Sequence, residues 1–329
     1  MSASQTETLT LRARMKKLAD NISDNSPNYA LLKEHGLITK GSGGRTIFRE
    51  LDAFQNTNFK RFYGGEQLPI SNPDFATAAE MDWSQFAGSY TVTGRERLEN
   101  EGVGRSIDLV PAKMRNLEKT LMNYVNFDVI SDGTTDSGKQ IKGFAAQIKK
   151  DPTTGTLAGI DQSLTANAYY RNYKFDTVND GGAALSSSNA LRYIRTCLRN
   201  TTRLSDKTKA IIAGDDYYSI FEDVAQSFQV GQVPVKGKLF DLGFAAFAIN
   251  GVPVLLGGGV NFSGLAQLQT DLAYGVNPSA LELIQHKNCW MTPLEKRFST
   301  NQDVEVQIVA SMWAMISHTP KLDFVLFDQ

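Results

Sequence analysis

The longest regular alternation of apolar and polar positions in this chain runs from Leu109 to Ile130. Val110, Met114, Leu117, Leu121, Tyr124 and Val125 recur mostly three and four residues apart, while Lys113, Arg115, Asn116, Lys119, Asn123 and Asn126 fill the positions between. That spacing predicts an amphipathic helix with one buried stripe and one wet face. Asp108 is placed to cap its start, Pro111 falls in the first turn, and Asp132-Gly133 stops it. At 1.5 Å per residue the helix is about 33 Å long.

A different period brackets this helix on both sides. Arg45 to Phe54 reads as a strand with Phe48, Glu50, Asp52 and Phe54 on one face and Ile47, Arg49, Leu51 and Ala53 on the other. A second extended run, Ala78 to Thr93, changes parity between Met81/Trp83 and Phe86/Tyr90/Val92, which predicts a bulge near Gln85. Between them lie Lys60, Arg61, Tyr63 and a Gly64-Gly65 turn. Together they describe a long two-stranded ribbon with a charged, aromatic tip, an element too marginal to stand alone in water. Near the C-terminus every second residue from Val304 to Ile316 is apolar, with Glu305, Gln307 and Ser311 on the other face before Trp313 and Met315 make both faces apolar, which predicts a strand of roughly 40 Å.

The middle of the chain alternates. Ile141 to Ile148 is read as strand-like, followed by the turn Asp151 to Gly155. Ser186 to Ser188 can cap a helix with Leu191, Ile194, Cys197 and Leu198 on its apolar face. Ala210 to Ala213 is a short buried strand, and Asp215 or Asp216 opens another helix. The strands Ala245 to Asn250 and Val252 to Leu256 meet at Asn250-Gly251, a tight-hairpin signal. The N-terminal stretch Leu9 to Leu18 is weakly amphipathic, Asn21 to Asn28 reads as a mobile arm, and Gly41 to Gly44 reads as a hinge.

Composition narrows the function more than the fold. The 329 residues, 41% of them hydrophobic, can fill two ordinary cores. The balance of 34 basic against 35 acidic residues gives no sign of a protein that grips nucleic acid by phosphate neutralisation. No stretch reaches the length of a membrane span, and Met1 to Thr10 lacks the apolar core of a signal peptide. Cys197 and Cys289 fit buried, reduced thiols.

Candidate chemistry is sparse. Gly133-x-x-x-x-Gly138-Lys139 nearly spells a phosphate loop, the basis of a nucleotide-binding enzyme reading. Gln140 stands where a magnesium-binding Ser or Thr belongs, and the loop leaves a helix instead of a buried strand. Asp215-Asp216 at a helix start is explained by capping and the helix dipole. His35, His286 and His318 are scattered, and Gly257 to Phe262 lacks the last glycine of a dinucleotide fingerprint. No catalytic, cofactor or metal site is therefore expected.

The order of parts resembles the major capsid proteins of tailed bacteriophages, of Hong Kong 97 type fold. The residues that carry the resemblance are the ribbon, the long helix, Asp132 to Thr134 with Gly138 to Ile141, Gly159 to Asp161, Arg171-Asn172, Pro293 to Arg297 and Asn301 to Asp303 before the last long strand. It implies an α+β chain with an N-terminal arm over 1–40, an extended loop over 41–93, and a peripheral domain with a spine helix over 94–182. An axial domain over 183–270 follows, then long strands over 271–329 that return through the peripheral domain to the axial domain. It implies hexamers and pentamers of an icosahedral shell enclosing double-stranded DNA, assembled in the bacterial host cytoplasm. Portal, scaffolding and decoration or head-completion proteins are the implied partners, with no membrane. Encapsulin-type compartments share this fold and are the alternative. Subunit contacts are expected from the ribbon, at Arg45, Arg49, Glu50, Lys60 and Arg61.

Overall fold

The computed structural model describes residues 27–52, 56–71, 76–99, 109–227, 245–257, 268–298 and 301–328. The stretch Leu9 to Leu18, most of Asn21 to Asn28, the Asp108 cap and the glycine-rich loop after Gly257 lie outside them.

The spine helix is Leu109–Ile130, as its period predicts. Met114, Leu117, Leu121, Val125 and Val129 are buried against a sheet whose longest member is Val304–Ser317. Ser84–Thr93 pairs antiparallel with that long strand through ten residue pairs, from Val304 opposite Thr93 to Trp313 opposite Ser84. Helix and sheet meet closely at Gly88, where a Cβ would lie 2.5 Å from Leu117 Cδ1. A larger residue there would displace the Leu117 and Leu121 side chains from their packing on the sheet.

The long strand has its expected length. Up to Met312 it buries the face that carries Gln307 and Ser311 and not the apolar row. From Trp313 to Ser317 both faces are buried, with Ala314 and Ile316 in the ribbon's core. Val309, Trp313 and Met315 join the core with the helix, together with the polar Gln307 and Ser311. Val304, Val306, Ile308, Ala310 and Met312 are only half-buried. The burial of the polar face has a physical cause: Gln307 Nε2 donates to the Leu294 carbonyl, and Ser311 Oγ accepts the Met291 amide at 2.9 Å. Buried polar side chains are tolerated where they satisfy an irregular neighbouring segment, here 289–294.

The ribbon is Thr46–Asp52 paired antiparallel with Ala76–Asp82. Its Ile47/Leu51 face and Ala79 and Met81 pack on Leu157, Ile160, Tyr170, Ile284 and Ile316. Instead of a bulge near Gln85, the chain breaks at Trp83, where it leaves the ribbon and enters the first sheet. The parity switch in the sequence marks this change of partner. Trp83 Nε1 donates to the Gly44 carbonyl at 3.1 Å, and a Cβ on Gly41 would lie 2.7 Å from the indole. The glycine run thus makes room for Trp83, and Gly41 ends a strand, Ile38–Gly41, parallel to Leu281–His286.

Two further expectations change. The N-terminal segment from residue 27 is embedded: helix Pro27–Glu34 buries Tyr29, Ala30, Leu31 and Leu32, and Tyr29 lies parallel to Trp290 with centroids 6.2 Å apart. The run Ile141 to Ile148 contains a helical turn, Phe144–Gln147, not a strand. Ile141, Phe144 and Ile148, all buried, are spaced three and four apart, a helical interval that its apolar composition masks.

The second sheet has the strand order Tyr173–Asp176, Phe324–Phe327, Leu272–Val276, Ala210–Ala213, Val252–Leu256, Ala245–Ile249. It draws strands from outside 183–270 at both ends of that span. Helices Ala190–Asn200 and Asp215–Ser227 pack on one face, while Ile212, Leu255, Tyr274 and Val325 join the core of the spine helix. Asn250 and Gly251 take φ of 52° and 77°, the left-handed pair a two-residue hairpin needs. The first helix starts without a serine cap: Asn189 precedes it and accepts the Ser186 amide at 2.8 Å.

Candidate assembly surface

The ribbon has a root and a tip with different chemistry. At the root, Arg49 points into its own chain. Its Nε lies 2.7 Å from Glu282 Oε2 and its Nη2 2.9 Å from Oε1, a two-point clamp. Glu282 also accepts from the Thr39 hydroxyl and lies 3.2 Å from His318 Nε2. Burial alone would raise this carboxyl, but the hydrogen bonds from Arg49, His318 and Thr39 outweigh it and hold the group well below the usual carboxylate range. One carboxylate therefore joins the ribbon, the N-terminal strand, the strand Leu281–His286 and the residue after the long strand.

The tip, residues 56–71, makes hydrogen bonds only within itself among the described residues. Asn58 and Ser71 bridge its base, with Asn58 Nδ2 donating to the Ser71 carbonyl and Asn58 Oδ1 accepting from the Ser71 amide. Lys60 pairs with Glu66 at 2.8 Å, both side chains nearly half exposed. Arg45, Glu50 and Arg61 are exposed and take no ion-pair partner among the described residues. Five large apolar side chains also face solvent here: Phe59 at 79%, Phe62 at 61%, Tyr63 at 87%, Leu68 at 50% and Ile70 at 96%. So many exposed apolar groups on one loop make it a candidate contact surface.

Of the five charged residues expected at the contact, the structure keeps four on the surface and turns Arg49 inward. Sequence reasoning missed Glu282, whose only local signal is a lone acid among Leu281, Leu283 and Ile284. At the tip it singles out Tyr63 but not Phe59, Phe62, Leu68 or Ile70. A second candidate surface is the open face of the first sheet. There the half-buried Val306, Ile308, Ala310 and Met312 lie beside exposed Gln85, Ala87, Ser89 and Thr91 of the paired strand.

The phosphate-loop lookalike closes on itself. The Gly138 amide donates to the Thr134 carbonyl, the Lys139 amide to Asp136, and the Thr134 amide to Asp132 Oδ1. Those donors face the chain's own oxygens and cannot also cradle phosphates. Among the described residues no group of His, Cys, Asp or Glu is arranged to hold a metal ion, and no helix is long and apolar enough to cross a membrane. Cys197 is buried and Cys289 half-buried, both as free thiols.

No family model matches the sequence, and no curated protein matches it. Solved structures do. The chain is similar to a protein of the cyanophage A-1(L) capsid asymmetric unit at 15% identity and TM-score 0.65, covering 92% of both chains. It is also similar to the capsid of phage XM1, at 9% identity and TM-score 0.53, covering 91% of both chains. The SrpI encapsulin complex from Synechococcus elongatus matches at 11% identity and TM-score 0.55, over 92% of this chain and 87% of that one. Over nearly its whole length, then, this chain has the α+β capsid fold of Hong Kong 97 type.

Proposed function

We propose that this chain is the major capsid protein of a tailed phage, assembling as hexamers and pentamers into an icosahedral shell around double-stranded DNA. The observation that carries the reading is the apolar tip, five large side chains on a loop whose ribbon, among the described residues, is fixed to its own domain at the root. A second copy is its occupant. The tip of one subunit lies on the open sheet face around Ile308 and Met312 of the next, with Arg45, Glu50, Lys60 and Arg61 supplying charge pairs around it. Such a contact joins two different patches, and its repetition closes rings where the rotation between neighbours divides a full turn, as hexamers and pentamers require. The division into arm, extended loop, peripheral and axial domains, and the portal, scaffolding and decoration partners, belong to the same proposal. The role is structural, not enzymatic.

The likeness to the encapsulin complex favours a second reading, a protein shell around a protein cargo. Expression of the full chain, followed by sizing and electron microscopy, tests both. Closed shells are expected. Only small soluble species, alone and with neighbouring gene products, would overturn the shell reading; a co-purifying enzyme in the lumen would favour the compartment.

A further inference from the structure

Gln140, the residue that spoils the phosphate motif, has a partner. Its Nε2 donates to Asp128 Oδ1 at 2.8 Å, while its own Oε1 is buried without a hydrogen-bond partner. Asp128 lies in the last turn of the spine helix and is buried. A carboxylate there can only accept, so it leaves Gln140 Oε1 orphaned at the cost of an unmet acceptor. A protonated acid has the O–H that this oxygen lacks. We infer that Asp128 and Gln140 form a carboxylic acid–carboxamide pair, a proton-operated clasp that fastens the end of the spine helix to the loop after it.

The surroundings favour the neutral acid. Burial pushes the Asp128 carboxyl up to about 6, the Gln140 hydrogen bond opposes this, and the Asp136 carboxylate adds to it. The carbonyl end of the helix is also its negative pole. The charged groups on the loop are Asp132, Asp136, Lys139 and Lys142, all exposed, and no ion pair joins any of them to Asp128. Other packed elements offer neutral groups: Asn28 from the N-terminal helix, which donates to Asn126; Ser84 from the first sheet; and Gln147 from the following helical turn.

The clasp is one of several stitches. The Ser131 hydroxyl lies 2.8 Å from the Asp128 carbonyl and 2.7 Å from that of Ile141, and a Cβ on Gly143 would fall 2.4 Å from the Val129 carbonyl. Of these only Asp128–Gln140 titrates. Ser84, where the ribbon chain enters the first sheet, donates to the Gln140 carbonyl at 3.3 Å. Loosening the clasp therefore reaches the ribbon's anchorage.

The folded state raises this carboxyl above its ordinary value of 3.8, so its contribution to stability is complete below that pH and declines as pH rises toward about 6. Asp128→Asn supplies a neutral side chain that can donate to Gln140 Oε1 and accept from its Nε2 at every pH. Hydrogen exchange of the full chain should show protection of residues 125–143, relative to Asp128→Asn, falling by about tenfold between pH 5 and pH 7. An infrared difference spectrum of wild type against Asp128→Asn at pH 5 should contain the stretch of a buried protonated carboxylic acid. Equal protection in both proteins at all pH values would overturn the clasp, as would absence of that band. If Asp128→Asn fails to fold, the carboxylate itself is required and the inference is wrong.

Discussion

The two ends of one ribbon are built to opposite rules. At the root, Ile47, Leu51, Ala79 and Met81 are buried and Arg49 is clamped on a carboxylate 233 residues away. At the tip, Phe59, Phe62, Tyr63, Leu68 and Ile70 face water, and every hydrogen bond among the described residues is local. A chain that folded for its own stability alone would gain nothing from the second arrangement. On the proposed reading the root contributes to folding and the tip to association, so the two can be separated by mutation.

The largest effect separates them outright. Replacing Phe59, Phe62 and Tyr63 together with serine should abolish shells in electron micrographs while leaving the melting temperature of the unassembled subunit unchanged. Fully burying one such side chain is worth about 1.5–3 kcal/mol, and the loss recurs at every contact in the shell. Exposed positions outside packed features change subunit stability by only about 0.5 kcal/mol. A triple variant that still assembles, or one that melts far below wild type, breaks the comparison.

At the root the order of effects reverses. Arg49→Met leaves Glu282 largely buried with its main partner gone, which should cost about 3 kcal/mol of subunit stability in denaturant unfolding. A change within error would mean that Thr39 and His318 suffice to hold the carboxylate.

The root should also respond to acid. Glu282 sits below its ordinary value of 4.5 in the folded state, so its contribution is present above that pH and is lost as pH falls beneath it. Asp128 has the opposite sign, losing its contribution as pH rises. Glu282→Gln should flatten the acid limb of a melting-temperature profile and leave the limb between pH 5 and 7 in place. Loss of both limbs would show that the two carboxyls act as one unit.

How much of this was legible follows from the range of each interaction. The spine helix and the Asn250-Gly251 hairpin are local, and their bounds agree with the sequence pattern. The length of the last long strand is local too, but its buried face is not. Gln307 and Ser311 face inward because the segment 289–294 needs their hydrogen bonds, and nothing in an alternating pattern announces that. Arg49 reads as a free surface charge until the fold brings Glu282 to it. Tyr63 and the charges of the tip are visible in sequence, whereas the exposure of Phe59, Phe62 and Ile70 appears only once the described residues are seen to leave the tip uncovered.

The smallest effect concerns the one ion pair inside the tip among the described residues. Lys60 and Glu66 lie 2.8 Å apart but are close to half exposed, and such a pair contributes about 0–1 kcal/mol, less as salt rises. Lys60→Ala should therefore leave subunit melting unchanged. Its consequence lies in assembly: Glu66 loses its Lys60 partner and the tip gains an uncompensated negative charge. If the receiving face is the neutral row at Ile308 and Met312, the variant should form shells at slightly higher protein concentration, with a dependence on salt that Glu66→Gln removes. If Lys60 instead meets an acid on the neighbouring subunit, Lys60→Ala and Glu66→Gln should shift assembly in opposite directions.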